Sequence, residues 1–326
     1  MARADFGGQA LLEGVLMRGR NAVGVAIRHP DGSIVSAAEP LNSILHRNRF
    51  ARAPFMRGIV LLYETLVIGT RWLMRSGSVQ AEGEGTEMGR GTIAVTLIFT
   101  LGLAIGLFVL VPLFLAEATT RVAIGAGQAF IQHLVEGVIR VVIFVGYLLL
   151  VSRSAEIKRT FQYHGAEHMT IHALEHEDPL DIEHVRQYPT AHPRCGTEFL
   201  VIFIILSILM FSLLVGQSLL VSIVGRILLV PVIASLAYEI LRFGAKHRDR
   251  VWLRWMYLPG MWLQGITTKQ PDDSMIEVAI ASMQEALAAN NEQAPADSWD
   301  PPRRPIPQRA DKSATEQESA PDHLSQ

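Results

Sequence analysis

The sequence predicts a mainly α, polytopic helical membrane protein: about four transmembrane helices, a small N-terminal β-hairpin, and helices on the cytoplasmic side. Three observations predict it. Apolar residues gather in two long blocks, near 92–151 and 199–241. Only 18% of the 326 residues are charged, against about 25% in an ordinary soluble chain. Arginine and lysine outside the blocks fall in some connections and avoid others, as the positive-inside rule requires.

Region 1–91 comes first. Within it Asn21 to Ala38 reads as a hairpin, because Val23, Val25 and Ile27 alternate, His29-Pro30-Asp31-Gly32 is a strong turn, and Ile34-Val35 resumes. Residues 55–75 form an apolar helix dotted with Arg57, Arg71 and Arg75, expected at the membrane surface. Gly77 to Gly91 is glycine- and glutamate-rich and is expected to be a linker.

Region 92–151 is a transmembrane pair. Thr92 to Ala116 is a 25-residue stretch without a charge, enough to cross a hydrocarbon core of roughly 30 Å. Ile131 to Val151 follows, with Glu136 and Arg140 placed at the interface as an i,i+4 pair. Region 199–242 is too long for one span, and Gly216-Gln217-Ser218 and Gly225-Arg226 divide it into helices of about 198–216 and 224–242. Residues 217–225 are open to reading as a loop or a re-entrant piece, and Glu239 is placed at the interface.

Loop charges then set the orientation. Arg57, Arg71, Arg75 and Arg90 precede the first span, Arg153, Lys158, Arg159, Arg186 and Arg194 lie between the second and third, and Arg242, Lys246, Arg248, Arg250 and Arg254 follow the fourth. The other connections hold only Arg121 and Arg226. N-terminus, middle segment 152–198 and C-terminus are therefore expected in the cytoplasm of a cell-membrane protein. In region 243–290, Trp252, Trp255, Tyr257 and Trp262 suggest chain at headgroup level. Pro271-Asp272-Asp273-Ser274 then caps a helix whose apolar Ile276, Ala279, Ile280, Met283 and Leu287 share one face. Region 291–326, poor in apolar residues, is expected to be disordered. A net charge of −2 gives no reason to expect nucleic acid. One cysteine, Cys195, rules out an internal disulfide, and the start of the chain lacks the apolar region of a signal peptide.

Chemistry is concentrated in the middle segment, where six of the eleven histidines fall between His164 and His192. His164-Gly165-Ala166-Glu167-His168 is an H-x-x-E-H string in a stretch expected to be helical, Arg153 to Glu177. Histidines at i and i+4 share one helix face, so both imidazoles can bind one cation. Glu167, about 100° round the helix, is placed to take a proton from water rather than to act as a ligand. The same letters mark inverted zincin peptidases, which need a further acidic ligand from a later helix. His172 lies roughly 12 Å along the axis from His164, so the site is either His164/His168 or His168/His172. The missing ligand can come from Cys195 or His192, or from Glu13 in the N-terminal Gly7-Gly8-Gln9-Ala10 to Gly19 cluster. Gln9 and His172 are placed behind the ligands or as alternatives to them. Arg194 is placed to hold a substrate anion or developing oxyanion. The ligand set suits a divalent metal, zinc first, with iron or manganese as alternatives. The competing readings are surface histidines at headgroup depth and a glycine-assisted fold-back of the N-terminus.

Phe161-Gln162-Tyr163-His164-Gly165-Ala166-Glu167-His168, His192-Pro193-Arg194-Cys195-Gly196-Thr197, and Gly7-Gly8-Gln9-Ala10 with Glu13-Gly14 resemble the YqhQ-like family of bacterial membrane proteins. Pro259-Gly260, Trp262-Leu263-Gln264, Thr267-Thr268 and Pro271-Asp272-Asp273 extend the resemblance over about residues 5–287. It implies predicted metal-dependent enzymes without a known reaction, and that the motif clusters belong together. Met169 stands where the family pattern has lysine, and Glu198 where a small polar residue is usual. The function expected is a membrane-embedded, cytoplasm-facing, metal-dependent hydrolase acting on a membrane-associated peptide or lipid, with the bilayer as its partner. A non-catalytic membrane scaffold or assembly factor is the alternative, and a transporter the third option, disfavoured by the scarcity of charges within the spans.

Overall fold

The computed structural model describes residues 6–41, 43, 48–83, 90–123, 129–193, 195–214, 217–247 and 251–306. It is mainly helical, with three to four candidate membrane spans and one small sheet. The sheet has five strands in sequence order: β1 Gly7–Leu11, β2 Gly14–Arg18, β3 Ala22–Arg28, β4 Ile34–Pro40 and β5 Arg303–Pro305. The first four form an antiparallel meander, and β5 adds parallel to β4, with Ile34 opposite Arg303.

The expected hairpin at 21–38 is thus β3 and β4, and the glycine cluster before it is a second hairpin. Its two-residue turn, Leu12-Glu13, holds Glu13 at φ 53°, a left-handed position that glycine or asparagine usually announces. Without that signal the strands were hidden.

Helices follow in order: α1 Met56–Gly83, α2 Arg90–Ile105, α3 Val111–Ala123, α4 Ala129–Val151, α5 Ala155–Glu175, α6 Ile182–Val185, α7 Gly196–Phe211, α8 Leu219–Lys246, α9 Val251–Thr267 and α10 Asp273–Ala289. A single π-helical turn, Gly106–Leu110, joins α2 to α3. The expected linker at 77–91 is corrected in its first half: α1 runs on to Gly83, because Ser76, Ser78 and Val79 are buried under the sheet. The rest of that linker, 84–89, lies outside the described residues.

Strand alternation builds two layers of core. Val23, Val25 and Ile27 point to one face, where Ile68, Trp72 and Val79 of α1 cover them. Ala26, Val15 and Met17 point to the other, against α5 and α10. Gly24 lets α10 settle on that face, since a Cβ there would lie 2.2 Å from the Ala286 nitrogen and 2.5 Å from the Ser282 carbonyl. Asp272 caps α10 by accepting from the Met275 N–H, as the sequence pattern predicts. At the other end Asn290 accepts from Asn21 and Ala22 and donates to the Ala22 carbonyl, tying the helix to β3.

Residues 291–306 correct the expectation of a disordered tail from 291. Trp299 packs on the core, its N–H donates to the Leu180 carbonyl, and Arg303 and Arg304 pair with Glu285 and Asp31. One aromatic anchor, a strand ladder and two ion pairs hold a segment whose composition alone argues for disorder. Residues 307–326 lie outside the described residues.

Among the described residues, three helices are long and apolar enough to cross a membrane: Ile98–Ala116, Gly196–Leu214 and Leu220–Gly244. Val135–Val151 of α4 passes the same test only together with Ala155–Glu175, as a pair bent by 99°, which counts as a fourth candidate if the pair is one broken span. The bend has a physical cause, because α5 turns off to bury Tyr163, Ala166, Met169 and Ala173 in the soluble core. The division expected at Gly225-Arg226 is absent: α8 starts at Leu219, capped by Ser218, and continues through both residues. Leu219 to Val224 is therefore the first turns of that helix rather than a loop or re-entrant piece.

Arg226 is instead buried. With Arg140 it flanks Glu136, at 2.5–2.9 Å for Arg226 and 2.6 Å for Arg140, and both guanidiniums lie over the Phe211 ring, at 5.2 and 5.3 Å. Arg140 also donates to the Phe108 carbonyl at 3.1 Å. Glu239, expected at the interface, pairs with Arg57 of α1.

Candidate metal centre

α5 carries the H-x-x-E-H string between the sheet and the segment that follows α9. Gly165 allows the approach: a Cβ there would lie 2.2 Å from the Lys269 carbonyl oxygen. That contact brings the Thr267 carbonyl to 2.9 Å from His164 Nδ1, and Thr190 O lies 2.7 Å from His168 Nδ1. A carbonyl only accepts, so each Nδ1 carries the proton and each Nε2 presents a lone pair. His164 Nε2 lies 3.2 Å from Cys195 Sγ. His168 Nε2 is buried and has no hydrogen-bond partner among the described residues. Donor atoms of His164, His168 and Cys195 all fall within 4.8 Å of one another.

Glu167 stands beside this trio and is buried, with Oε2 unpartnered among the described residues. Burial pushes its carboxyl up to about 8, against the pull of His164 and a backbone hydrogen bond from Gly8. Gly8 is required there, since a Cβ would lie 2.8 Å from Glu167 Cδ and 2.6 Å from the Leu16 carbonyl. Burial also holds His168 well below the usual imidazole range, so it is neutral and able to ligate. Burial pushes the Cys195 thiol up. A cleft of about 300 Å³ opens on these residues, lined also by Gly8, Gln9 and His192.

The other expected site residues are placed differently. Glu13 is not in the trio; its carboxylate takes Arg159 at 2.5 Å and the Tyr163 hydroxyl at 3.2 Å. Its oxygens are therefore already committed. His192 forms a neighbouring group with His172 and Glu175, its Nε2 being 3.3 Å from Glu175 Oε1. His172 Nε2 donates to the Ala191 carbonyl at 2.9 Å, which makes that nitrogen the protonated one. Gln9 lines the cleft against Gly69 of α1. Arg194 lies outside the described residues.

Sequence reasoning missed the roles of Thr190, Thr267 and Gln264. The buried Gln264 amide donates to and accepts from the His192 backbone, at 3.0 and 2.8 Å, which fixes the strand of chain leading to Cys195. Gly260 packs under Glu198, with a Cβ 2.6 Å from Glu198 Cγ. Both sit in motifs that were visible, but a backbone carbonyl as partner leaves no mark on residue type.

The fold and the cluster together define a helical membrane protein whose soluble layer gathers two histidines and a cysteine around one point. The chain belongs to the family described as "Protein of unknown function (DUF1385)", whose pattern matches residues 53–289. It is 34% identical over 295 residues to "Uncharacterized protein YqhQ" of Bacillus subtilis (strain 168), covering 86% of this chain and 92% of that protein. The resemblance drawn from the motifs therefore holds. No solved structure matches the chain.

Proposed function

We propose that the chain is a membrane-embedded metal-dependent hydrolase working at the cytoplasmic face on a membrane-associated substrate. One observation carries the reading: two imidazoles, each locked by a backbone carbonyl on Nδ1, present Nε2 toward the same point as a cysteine sulfur. Fixing the tautomer from behind is what supporting groups around a metal do. The buried, unpartnered Nε2 of His168 costs free energy unless something occupies it. Two nitrogens and a sulfur suit zinc, and three protein ligands leave the open position that catalytic sites keep.

A divalent ion held there supplies Lewis acidity, lowers the pKa of water toward about 7, and offsets the burial that raises Glu167. The protein's own residues do the rest. Glu167 takes a proton from water as its oxygen bonds to the substrate's carbonyl or phosphoryl centre, then returns it to the leaving group as that bond breaks. Gly8 holds the carboxylate through its N–H. Arg194 is assigned to the developing negative charge. Glu13 serves as an anchor for Arg159 and Tyr163 rather than as a ligand.

Elemental analysis of detergent-purified protein should find close to one zinc per chain, lost in His164→Ala and His168→Ala and kept in His184→Ala. Glu167→Gln should keep fold, abundance and most of the metal while failing to complement a deletion strain. Unchanged metal in both histidine variants removes the centre; full complementation by Glu167→Gln favours a scaffold instead. Orientation follows the loop charges, so reporter fusions after residues 122, 178 and 290 should report outside, inside and inside. An external signal at 178 would put the cluster on the wrong side.

A further inference from the structure

The cleft at the candidate centre does not end there. A second groove, of about 450 Å³, runs between α1 and the ends of α7 and α8, and both cavities are lined by Gly7, Gly8, Gln9 and Gly196. Gly196 is the first residue of a candidate span and follows Cys195 directly, so the passage joins the centre to the membrane helices.

Its walls have a definite origin. At one end α1 is pinned to α8: Arg57 pairs with Glu239, and Gly58 lets the helices touch, with a Cβ 3.1 Å from Ser235 and Tyr238. Beyond that contact the helices part, leaving Leu61, Leu62 and Ile68 facing Phe199 and Leu241 across the gap. At the other end Gln9 crosses toward Gly69, where a Cβ would lie 2.1 Å from its Oε1. The passage is mostly apolar, with Arg18, Thr65, Tyr238 and Gln9 as the polar residues of its lining.

We propose that this groove holds one hydrocarbon chain of a bilayer lipid whose polar head lies in the cleft at His164, Glu167 and Cys195, which makes the substrate an amphiphile hydrolysed at its head. The inference rests on the hydrolase reading above and narrows it. A peptide would have to bury amides in the groove, each needing a partner. Among the described residues, the one cation of the lining is already paired: Arg18 donates to Thr65 at 2.9 Å and to Glu64 at 3.2 Å, and Glu64 also accepts from Ser43 at 2.9 Å. In the cleft, the outward N–H of Gly8 on the edge strand is taken by Glu167. A methylene chain requires no such partners and is favoured wherever it leaves water for an apolar surface. From lipid the gain is smaller, and the groove adjoins the candidate span that begins at Gly196. Mostly apolar walls with a small number of placed polar groups are the usual build of a site for such ligands.

The test uses the full chain in nanodiscs of phosphatidylethanolamine and phosphatidylglycerol, with trace phosphatidylethanolamine carrying a diazirine near the end of one acyl chain. After irradiation, mass spectrometry should find label on the 61–68 segment, Phe199 and Leu241 several-fold above Leu209 and Leu228, whose exposures of 60% and 66% mark ordinary outward-facing positions. Leu62→Trp fills the groove and should abolish that excess while leaving Leu209 and Leu228 unchanged. Ile68→Trp repeats the block from the other end should the first variant fold poorly. Both variants should keep their metal and lose complementation.

Groove labelling no higher than at the outward-facing positions overturns the proposal, as does labelling indifferent to both blocks. Preferential capture of a diazirine-bearing hydrophobic peptide over the lipid overturns it too. Complementation by a blocked variant that has lost the label overturns the assignment as substrate. The two readings fail separately: a chain without metal can still show groove labelling, and His164→Ala should retain it.

Discussion

Replacing Glu136 by glutamine removes one negative charge from between two guanidiniums while keeping the shape of the side chain. The side chains of Glu136, Arg140 and Arg226 are 3%, 7% and 2% exposed. Glutamine can still accept from one arginine, but its NH₂ group turns a donor toward the other. Two cations then sit buried over Phe211 without the carboxylate that made their burial tolerable. Breaking a buried ion pair by removing one partner costs about 3–5 kcal/mol, against a typical net stability of about 5–15 kcal/mol. Equilibrium unfolding in mixed micelles, followed through the five tryptophans, should show a loss of that size. Adding Arg226→Met to Glu136→Gln should recover a large part, because it removes one uncompensated cation and fills the space with an apolar chain. A loss below about 1 kcal/mol in the single variant, the scale of an ordinary surface change, would refute the reasoning, as would a double variant weaker than the single one by the full cost of a second lesion.

Gly24→Ala should destabilise by more than the usual overpacking range of about 1–3 kcal/mol, because backbone of α10 occupies the Cβ position. Gly146→Ala, where nothing lies within 4 Å, is the control and should be neutral or stabilising in the same unfolding assay. Gln264→Ala should weaken zinc affinity by about 10–100-fold, read by competition with a chelator, since the loop carrying Thr190 and Cys195 loses both its amide bonds to this side chain.

How much of this was legible depends on where the determining interaction lies along the chain. Spans were legible because a long apolar run has few other uses. α10 was legible because its cap and its apolar period agree. The spacing of His164 and His168 was legible because one helix sets it. Arg226 was misread as a break, since nothing near it in sequence announces Glu136, ninety residues away. Glu13 looked like a spare ligand because Arg159, 146 residues on, was invisible as its partner. β1 and β2 were hidden by a turn that uses glutamate where asparagine or glycine is usual. β5 exists only because β4 offers it an edge. Local physics was readable in each case, and long-range pairing was not.

The soluble layer draws its parts from the whole length of the chain: β1 to β4 precede the first candidate span, α5 lies between spans, and Thr267, α10 and β5 follow the last. This gives biogenesis a fixed order. A ribosome-bound chain that has emerged only as far as α5 already possesses both histidines, yet neither the Cys195 sulfur nor the carbonyl that sets the tautomer of His164 has been synthesised. The cluster therefore has its full set of supporting groups only once the chain through Thr267 has been made. A chain that stops short of Thr267 lacks part of the support behind His164, however complete its earlier segments are.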